Sequence, residues 1–285
     1  MQYLSNMNEY LSYKFEDSPE FVSTFDELPL WSASFGLLML KHLEYKRGLT
    51  ILDMGSGAGF PLMEIAGRFG NTCKCYGLDT WTNANNRARQ KITNYGLSNV
   101  EVLEGSGENI PLEGSSIDLI VSNLGINNFE RPELIFSECY RVLKPGGKLA
   151  LTTNLDGHWE EFYDIFETAV AGLGLKDAAE KLKHQQEHRG TVASISDRYT
   201  NAGLVPTRHC TEQFEMKFAD GSAFLNHYFV KLGWLSSWTE LIDSEDREKV
   251  FSRLEQNLNL HAMEHGCLEL TVPMAFIEGM KPENG

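Results

Sequence analysis

The sequence predicts an α/β fold, a mostly parallel sheet with helices wound on both faces. Three observations predict it. Between residues 49 and 153, short apolar runs rich in β-branched residues alternate with longer segments of helical period, the pattern of βαβ units. A glycine-rich turn, Gly55-Ser56-Gly57-Ala58-Gly59, follows the first of these runs and leads into a helical segment. Proline stands at helix starts (Pro61, Pro132) and glycine at helix ends (Gly70, Gly96), as backbone stereochemistry favours.

The elements follow in order. Strands are expected at 49–53, 74–79, 100–104 and 117–122, each short and bounded by Gly, Asn or Ser. A fifth, 148–153, follows the turn Pro145-Gly146-Gly147. Helices are expected from Pro61 to near Gly70, over 83–95, and from Pro132 to Leu143. Ahead of this core, residues 1–47 read as helical and carry Phe21, Phe25, Leu28, Leu30, Trp31 and Phe35, too many aromatic and apolar side chains for a solvated arm. Behind it, helical period runs over 157–173, 176–188 and 191–203, then strands 208–218 and 268–278. Between those strands a helical insertion at about 220–265 holds Phe224, Tyr228, Phe229, Trp234 and Trp238. The acidic run 243–248 reads as a helix start with Ser244 as its cap. No internal repeat or linker is visible. The chain therefore reads as one domain over 1–285: a helical cap (1–47), a core (48–155) and a C-terminal half (156–285) with the insertion as a lid.

Composition narrows the class. A chain of 285 residues with 42% hydrophobic and 23% charged residues can bury a core without metal or disulfide staples. Its 25 Lys and Arg against 40 Asp and Glu leave a formal charge of −15, which opposes binding to a phosphate backbone, so no nucleic-acid partner is expected. Five scattered cysteines (Cys73, Cys75, Cys139, Cys210, Cys267) suit a reducing cytoplasm better than a secreted scaffold. The start, Met1 to Asn6, has neither a basic nor an apolar signal region, and the longest apolar run, 35–40, ends at Lys41, so no membrane insertion is expected.

The glycine turn carries the chemistry. A dinucleotide fingerprint spaces its glycines G-x-G-x-x-G to cradle a pyrophosphate; here the spacing is G-x-G-x-G, with Asp53 two residues ahead of Gly55. That carboxylate repels a pyrophosphate and suits a cofactor with a cationic ammonium. Asp79 closes the second strand twenty residues after Gly59, the offset at which a carboxylate accepts hydrogen bonds from ribose hydroxyls.

With this turn, Asp79, the segment Gly105-Ser106-Gly107-Glu108-Asn109-Ile110-Pro111-Leu112 and the turn Leu143-Lys144-Pro145-Gly146-Gly147, the chain resembles the class I S-adenosylmethionine-dependent methyltransferases, of the ubiquinone/menaquinone-biosynthesis-like type. The resemblance covers about residues 47–155 and, more weakly, the final strands. It implies a Rossmann-like, seven-stranded sheet whose last strand, 268–278, inserts antiparallel. It implies S-adenosylmethionine as cofactor, its methionine part held by Asp53, Gly55, Ser56, Gly57 and Gly59, its ribose by Asp79 with Thr80, and its adenine by Ser106, Gly107 and Glu108. Ser106 replaces the family's usual Asp, a weaker partner for the adenine amine. Asn123 and Leu124, at the end of the fourth strand in the segment running to Phe129, are implied to border the sulfonium and acceptor.

The acceptor is read from what is missing. Ser122-Asn123-Leu124-Gly125 lacks the Asn/Asp-Pro-Pro-aromatic motif of enzymes that methylate exocyclic amines, and the chain is acidic, so a small-molecule acceptor is expected. Two rivals stand beside it: a methyltransferase acting on a protein partner, and a non-catalytic S-adenosylmethionine-binding module. Trp31, Phe224, Tyr228 and Trp234 are expected to enclose an apolar acceptor pocket, and His227 and Tyr228 are candidate bases by chemistry alone. His184-Gln185-Gln186-Glu187-His188 and His261-Ala262-Met263-Glu264-His265 both match H-x-x-E-H, but no third ligand accompanies either, and no metal is expected. Cys73 and Cys75, one residue apart, read as core cysteines.

Overall fold

The computed structural model describes residues 8–26, 30–125, 131–187 and 189–283. Leu28, the segment 126–130 with Phe129, His188 and the first residues of the chain lie outside them. Among the described residues the strands are β1 (Thr50–Met54), β2 (Lys74–Asp79), β3 (Val100–Glu104), β4 (Ile117–Asn123), β5 (Leu143–Asn154), β6 (Val205–Phe218) and β7 (Leu268–Met280). They form one seven-stranded sheet in the order β3-β2-β1-β4-β5-β7-β6. β1 to β5 pair in parallel, and β7 runs antiparallel to β5, with Leu151 opposite Ile277.

The helices are α1 (Pro19–Asp26), α2 (Leu30–His42), α3 (Leu62–Phe69), α4 (Thr82–Tyr95), α5 (Pro132–Val142), α6 (Glu160–Ala171), α7 (Lys176–Glu187), α8 (Val192–Asn201), α9 (Gly221–Asn226), α10 (Tyr228–Gly233), α11 (Leu235–Glu240) and α12 (Arg247–His265). No helix among the described residues is long and apolar enough to cross a membrane.

The core elements sit within a residue of their sequence positions, with one exception. β5 begins at Leu143 rather than Lys148, so the Pro145-Gly146-Gly147 turn lies inside the strand, where the pairing with β4 shifts register between Ile117 and Leu119. The irregularity leaves room for a proline, which cannot donate to a regular ladder. α12 corrects a second expectation. Its N-cap is Asp246, in helical backbone geometry and without a side-chain cap bond, so Ser244 is not the cap.

The chain groups into two compact units. The sheet unit comprises Asp17–Leu155, Gly190–Glu212 and Met274–Gly285; the helical unit comprises Met1–Glu16, Asp156–Arg189 and Gln213–Pro273. In the sheet unit Leu52, Ile120, Leu149 and Ile277 meet Phe136, Cys139 and Tyr199 in a buried cluster. Tyr199 is fully buried and its hydroxyl donates to the Ile277 carbonyl at 3.1 Å, so its one polar atom is satisfied.

The helical unit has its own aromatic core. Phe162 packs on Trp238 at 4.4 Å between ring centroids and on Phe224 at 5.2 Å. Trp238 Nε1 donates to the Tyr163 hydroxyl at 3.2 Å. Glu161 accepts from the Thr271 amide and hydroxyl at 3.0 and 2.5 Å, tying α6 to the first half of β7. A buried Glu255 accepts from Ser222 at 2.5 Å and from Tyr10 at 3.3 Å. The sequence treats 156–285 as coverings of the core, yet 156–189 and 213–273 bring enough aromatic surface to form a core of their own.

Candidate active site

The order β3-β2-β1-β4-β5 changes direction between β1 and β4, and the carboxyl ends of strands at such a point are where open α/β sheets bind ligands. The glycine turn sits there. Gly55, Gly57 and Gly59 have φ of 75°, 49° and 100°, values that L side chains rarely adopt. The turn hangs from the neighbouring strand: the Gly55 and Ser56 amides both donate to the Leu78 carbonyl, at 2.8 and 3.2 Å. Gly77 makes this approach possible, since a Cβ there would lie 2.5 Å from Leu62 Cδ2 and 2.8 Å from Ser56 Oγ.

Asp53 ends up fully buried at the end of β1, and neither carboxyl oxygen has a hydrogen-bond partner among the described residues. Burial, and then the nearby Asp79, push its pKa up to about 8, offset in part by the dipole of the neighbouring Leu62 amide. A carboxyl left in this state favours any cation brought beside it. Asp79 is differently placed. It is half-buried, and its two oxygens accept the Gly57 amide at 2.8 Å and the Trp81 amide at 2.9 Å. Its backbone carbonyl takes the Asn85 side-chain amide at 2.9 Å. The ribose candidate is thus locked to the glycine turn and to the start of α4, with its remaining lone pairs available. Thr80, beside it, is exposed.

At the third strand, Ser106 is exposed and its hydroxyl already accepts the Glu108 amide at 3.1 Å. Glu108 is held by Arg131, which donates to both its oxygens, Nε at 3.2 Å. Gly107 packs closely, with a built Cβ only 3.1 Å from Met54 Sδ. At the end of β4, Asn123 is buried, accepts from Thr152 at 2.8 Å and donates to the Ser32 carbonyl of α2 at 3.1 Å. Leu124 follows with φ of 66°, a strained conformation for a leucine, held by the hydrogen bond its amide donates to the Thr152 carbonyl at 2.9 Å.

The turn, Asp53, Asp79, Gly107, Glu108 and Asn123 therefore meet in the sheet unit along the carboxyl ends of β1 to β4. The pocket candidates do not all fare alike. Trp31 is in the sheet unit, on α2, with its ring 5.0 Å from Phe35. Phe224, Tyr228 and Trp234 belong to the helical unit. There Phe224 is fully buried among Trp159, Phe162 and Trp238, which makes it core rather than pocket wall. Trp234 packs on Trp159 at 4.8 Å. Tyr228 is 40% exposed, set edge-on to Tyr13 at 6.2 Å, with Lys231 over its ring. His227 packs against Phe218, and burial, then Lys231, lower its basicity.

Among the described residues no group of three or more His, Cys, Asp or Glu could hold a metal ion. His261 and His265 stack on each other at 4.2 Å on α12. Cys73 and Cys75 are buried, as expected of core cysteines.

Four contributors escaped sequence reasoning: Asn85, Trp81, Thr152 and the Ser32 carbonyl. Asn85, an amide sharing a helix face with Ala84 and Ala88, was the one visible signal, because a buried face that includes an amide must bond something.

Residues 52–151 match the family model described as a methyltransferase domain. An arsenite methyltransferase of Halobacterium salinarum is 32% identical over 37% of this chain and 27% of its own length. The chain thus spans about a quarter of that relative. A demethylmenaquinone methyltransferase of Lactococcus lactis is 26% identical over 75% of this chain and 84% of the relative. Among solved structures, the YcgJ protein of Bacillus subtilis superposes with a TM-score of 0.58 at 18% identity, covering 88% of this chain and all of that one. A phosphoethanolamine N-methyltransferase 2 of Haemonchus contortus, solved with S-adenosyl-L-methionine, superposes with a TM-score of 0.56 at 17% identity over 98% of this chain and 60% of that one.

Proposed function

This chain carries a class I S-adenosylmethionine-dependent methyltransferase domain over residues 52–151, and on that premise we propose that it transfers a methyl group from S-adenosylmethionine to a small-molecule acceptor. One observation carries the cofactor assignment at the residue level: Asp53, buried and without a hydrogen-bond partner, under a turn of three glycines with positive φ. The residues fit the group. An ammonium beside Asp53 would supply the charge this carboxyl lacks, the glycines without side chains admit a close ligand, and Asp79 is already oriented to accept from two hydroxyls.

When bound, the cofactor supplies an electrophilic methyl on a sulfonium. The protein's share is placement. Asp79, fixed by the Gly57 and Trp81 amides, sets the position of the ribose. The Thr152–Asn123–Ser32 chain of hydrogen bonds fixes the end of β4, which borders the reacting centre in this reading. In-line displacement needs alignment and a water-poor site more than a strong base. The assignment to small acceptors is supported by the names of the relatives, demethylmenaquinone and arsenite methyltransferases, and by the formal charge of −15.

Calorimetry is expected to show binding of S-adenosylhomocysteine and none of NAD. The reverse result overturns the cofactor assignment. Asp79→Ala should weaken S-adenosylhomocysteine by about 1.5–3 kcal/mol with the circular dichroism spectrum unchanged, the cost of hydrogen bonds to a charged group. For the acceptor, labelled S-adenosylmethionine incubated with a cell extract should deliver its label to the small-molecule fraction. Label confined to protein would favour the protein-acceptor rival.

A further inference from the structure

Helix α1 is fastened at both ends by charge. Just ahead of it, Asp17 accepts from Trp81 Nε1 at 2.7 Å and from the Asn83 amide at 3.0 Å. At its last residue, Asp26 accepts from Arg87 Nε at 2.9 Å and Lys91 Nζ at 2.7 Å, with its side chain only 12% exposed. Between these clamps the seating is light. Val22 is the single buried side chain of α1, set against Ala58 of the glycine turn and Ala84 of α4, while Phe21 and Phe25 lie 6.2 and 5.6 Å from the Trp81 ring.

Some of these contacts border the groups assigned to the cofactor, Ala58 on the methionine side and Trp81 on the ribose side, and the rest fall on α4. Ala58 lies within the glycine turn. Trp81 donates its amide to Asp79, so the indole that anchors α1 and the carboxylate that orients the ribose share one support. An eight-residue helix has little stability of its own. What keeps α1 in place is one part-buried ionic clamp at Asp26, worth more than a surface pair, and an exposed pair of charge-assisted hydrogen bonds at Asp17, both reversible.

We propose that α1 is a strap over the ribose end of the cofactor site, and that Asp17 and Asp26 are positioning residues that set how fast S-adenosylmethionine enters and S-adenosylhomocysteine leaves. This rests on the cofactor reading above. Both clamps are made to protein groups alone, so they form in either state of the site and must open for passage in both directions. Loosening them speeds entry and exit together and leaves affinity almost unchanged. A helix that merely supported the site would behave otherwise: its loss would weaken affinity.

The test uses the full chain preloaded with radiolabelled S-adenosylhomocysteine and chased with unlabelled compound, with association followed separately by stopped flow. Asp26→Asn should raise both rate constants about five- to thirtyfold, as expected for losing charged hydrogen bonds at a part-exposed site, and Asp17→Asn, at an exposed position with neutral donors, should raise both by less. The Kd should stay within about threefold. Asp26→Glu should restore slow exchange. Added salt should speed exchange in the unaltered protein but not in Asp26→Asn, a readout that stands even if a variant folds poorly. Unchanged dissociation in both variants together with salt-insensitive exchange, or a raised Kd with unchanged association, overturns the strap. If the unaltered protein does not bind S-adenosylhomocysteine, the cofactor reading falls and the strap with it; binding with unaltered rates sinks the strap alone.

Discussion

Asp53 and Asp79 are both acids at the ends of neighbouring strands, and their surroundings give them different work. Asp79 keeps partners and a route to solvent; Asp53 has neither. In the folded protein Asp53 holds its proton up to about pH 8, against 3.8 for a free side chain. The native state therefore binds one more proton than the unfolded chain across that range, so this group's contribution to stability is complete below 3.8 and is lost as pH rises through 8. A cationic cofactor reverses the preference, favouring the ionised form. Below pH 8 binding should then expel a proton, and affinity should fall by up to about tenfold per unit of pH. Calorimetry of S-adenosylhomocysteine at neutral pH in two buffers of different ionisation enthalpy should register proton release. Asp53→Asn should bind more weakly, with no release. A buffer-independent enthalpy in the unaltered protein would remove Asp53 from the cofactor's charge.

At the scale of elements, the glycine turn works because β2 yields space to it. Gly77→Ala would press a methyl into Leu62 and Ser56, both buried, so overpacking should cost about 1–3 kcal/mol and push the turn out of position, weakening S-adenosylhomocysteine as well. Gly67 is the control. It lies within α3 with open space where a Cβ would stand, and Gly67→Ala should stabilise by up to about 1 kcal/mol with binding unaffected. Thermal melts with and without ligand separate the two outcomes. The elements themselves were legible where local rules decide them. β2 and β3 fall where short apolar runs bounded by glycine and asparagine place them, and α4 closes at Gly96 with φ of 66°, a position few other residues tolerate. The start of β5 was not legible, because proline and glycine mark turns by local rules and only pairing with β4 carries a strand through them.

For the whole molecule, the division into two units means two cores. Trp238→Ala removes a fully buried ring from the helical unit and should cost that unit about 3–5 kcal/mol. Hydrogen exchange should rise over Asp156–Arg189 and Gln213–Pro273 well before it rises in β1 to β5. A uniform rise across the chain would show that both units unfold as one.

Read alone, the sequence determined the parallel sheet, the glycine turn and the placing of Asp53 and Asp79 at the ends of β1 and β2, because short-range periodicity, backbone stereochemistry and fixed spacing produce each of these. It could not determine which aromatics were core. Phe224 and Tyr228 look alike in sequence, four residues apart in the same insertion, yet one is sealed among Trp159, Phe162 and Trp238 and the other stands 40% exposed. Nor could it show that Asp17 and Asp26 reach across to α4, over 64 and 61 residues of chain. Burial and long-range ion pairing depend on which surfaces meet once the strands are ordered, and only the tertiary structure decides that.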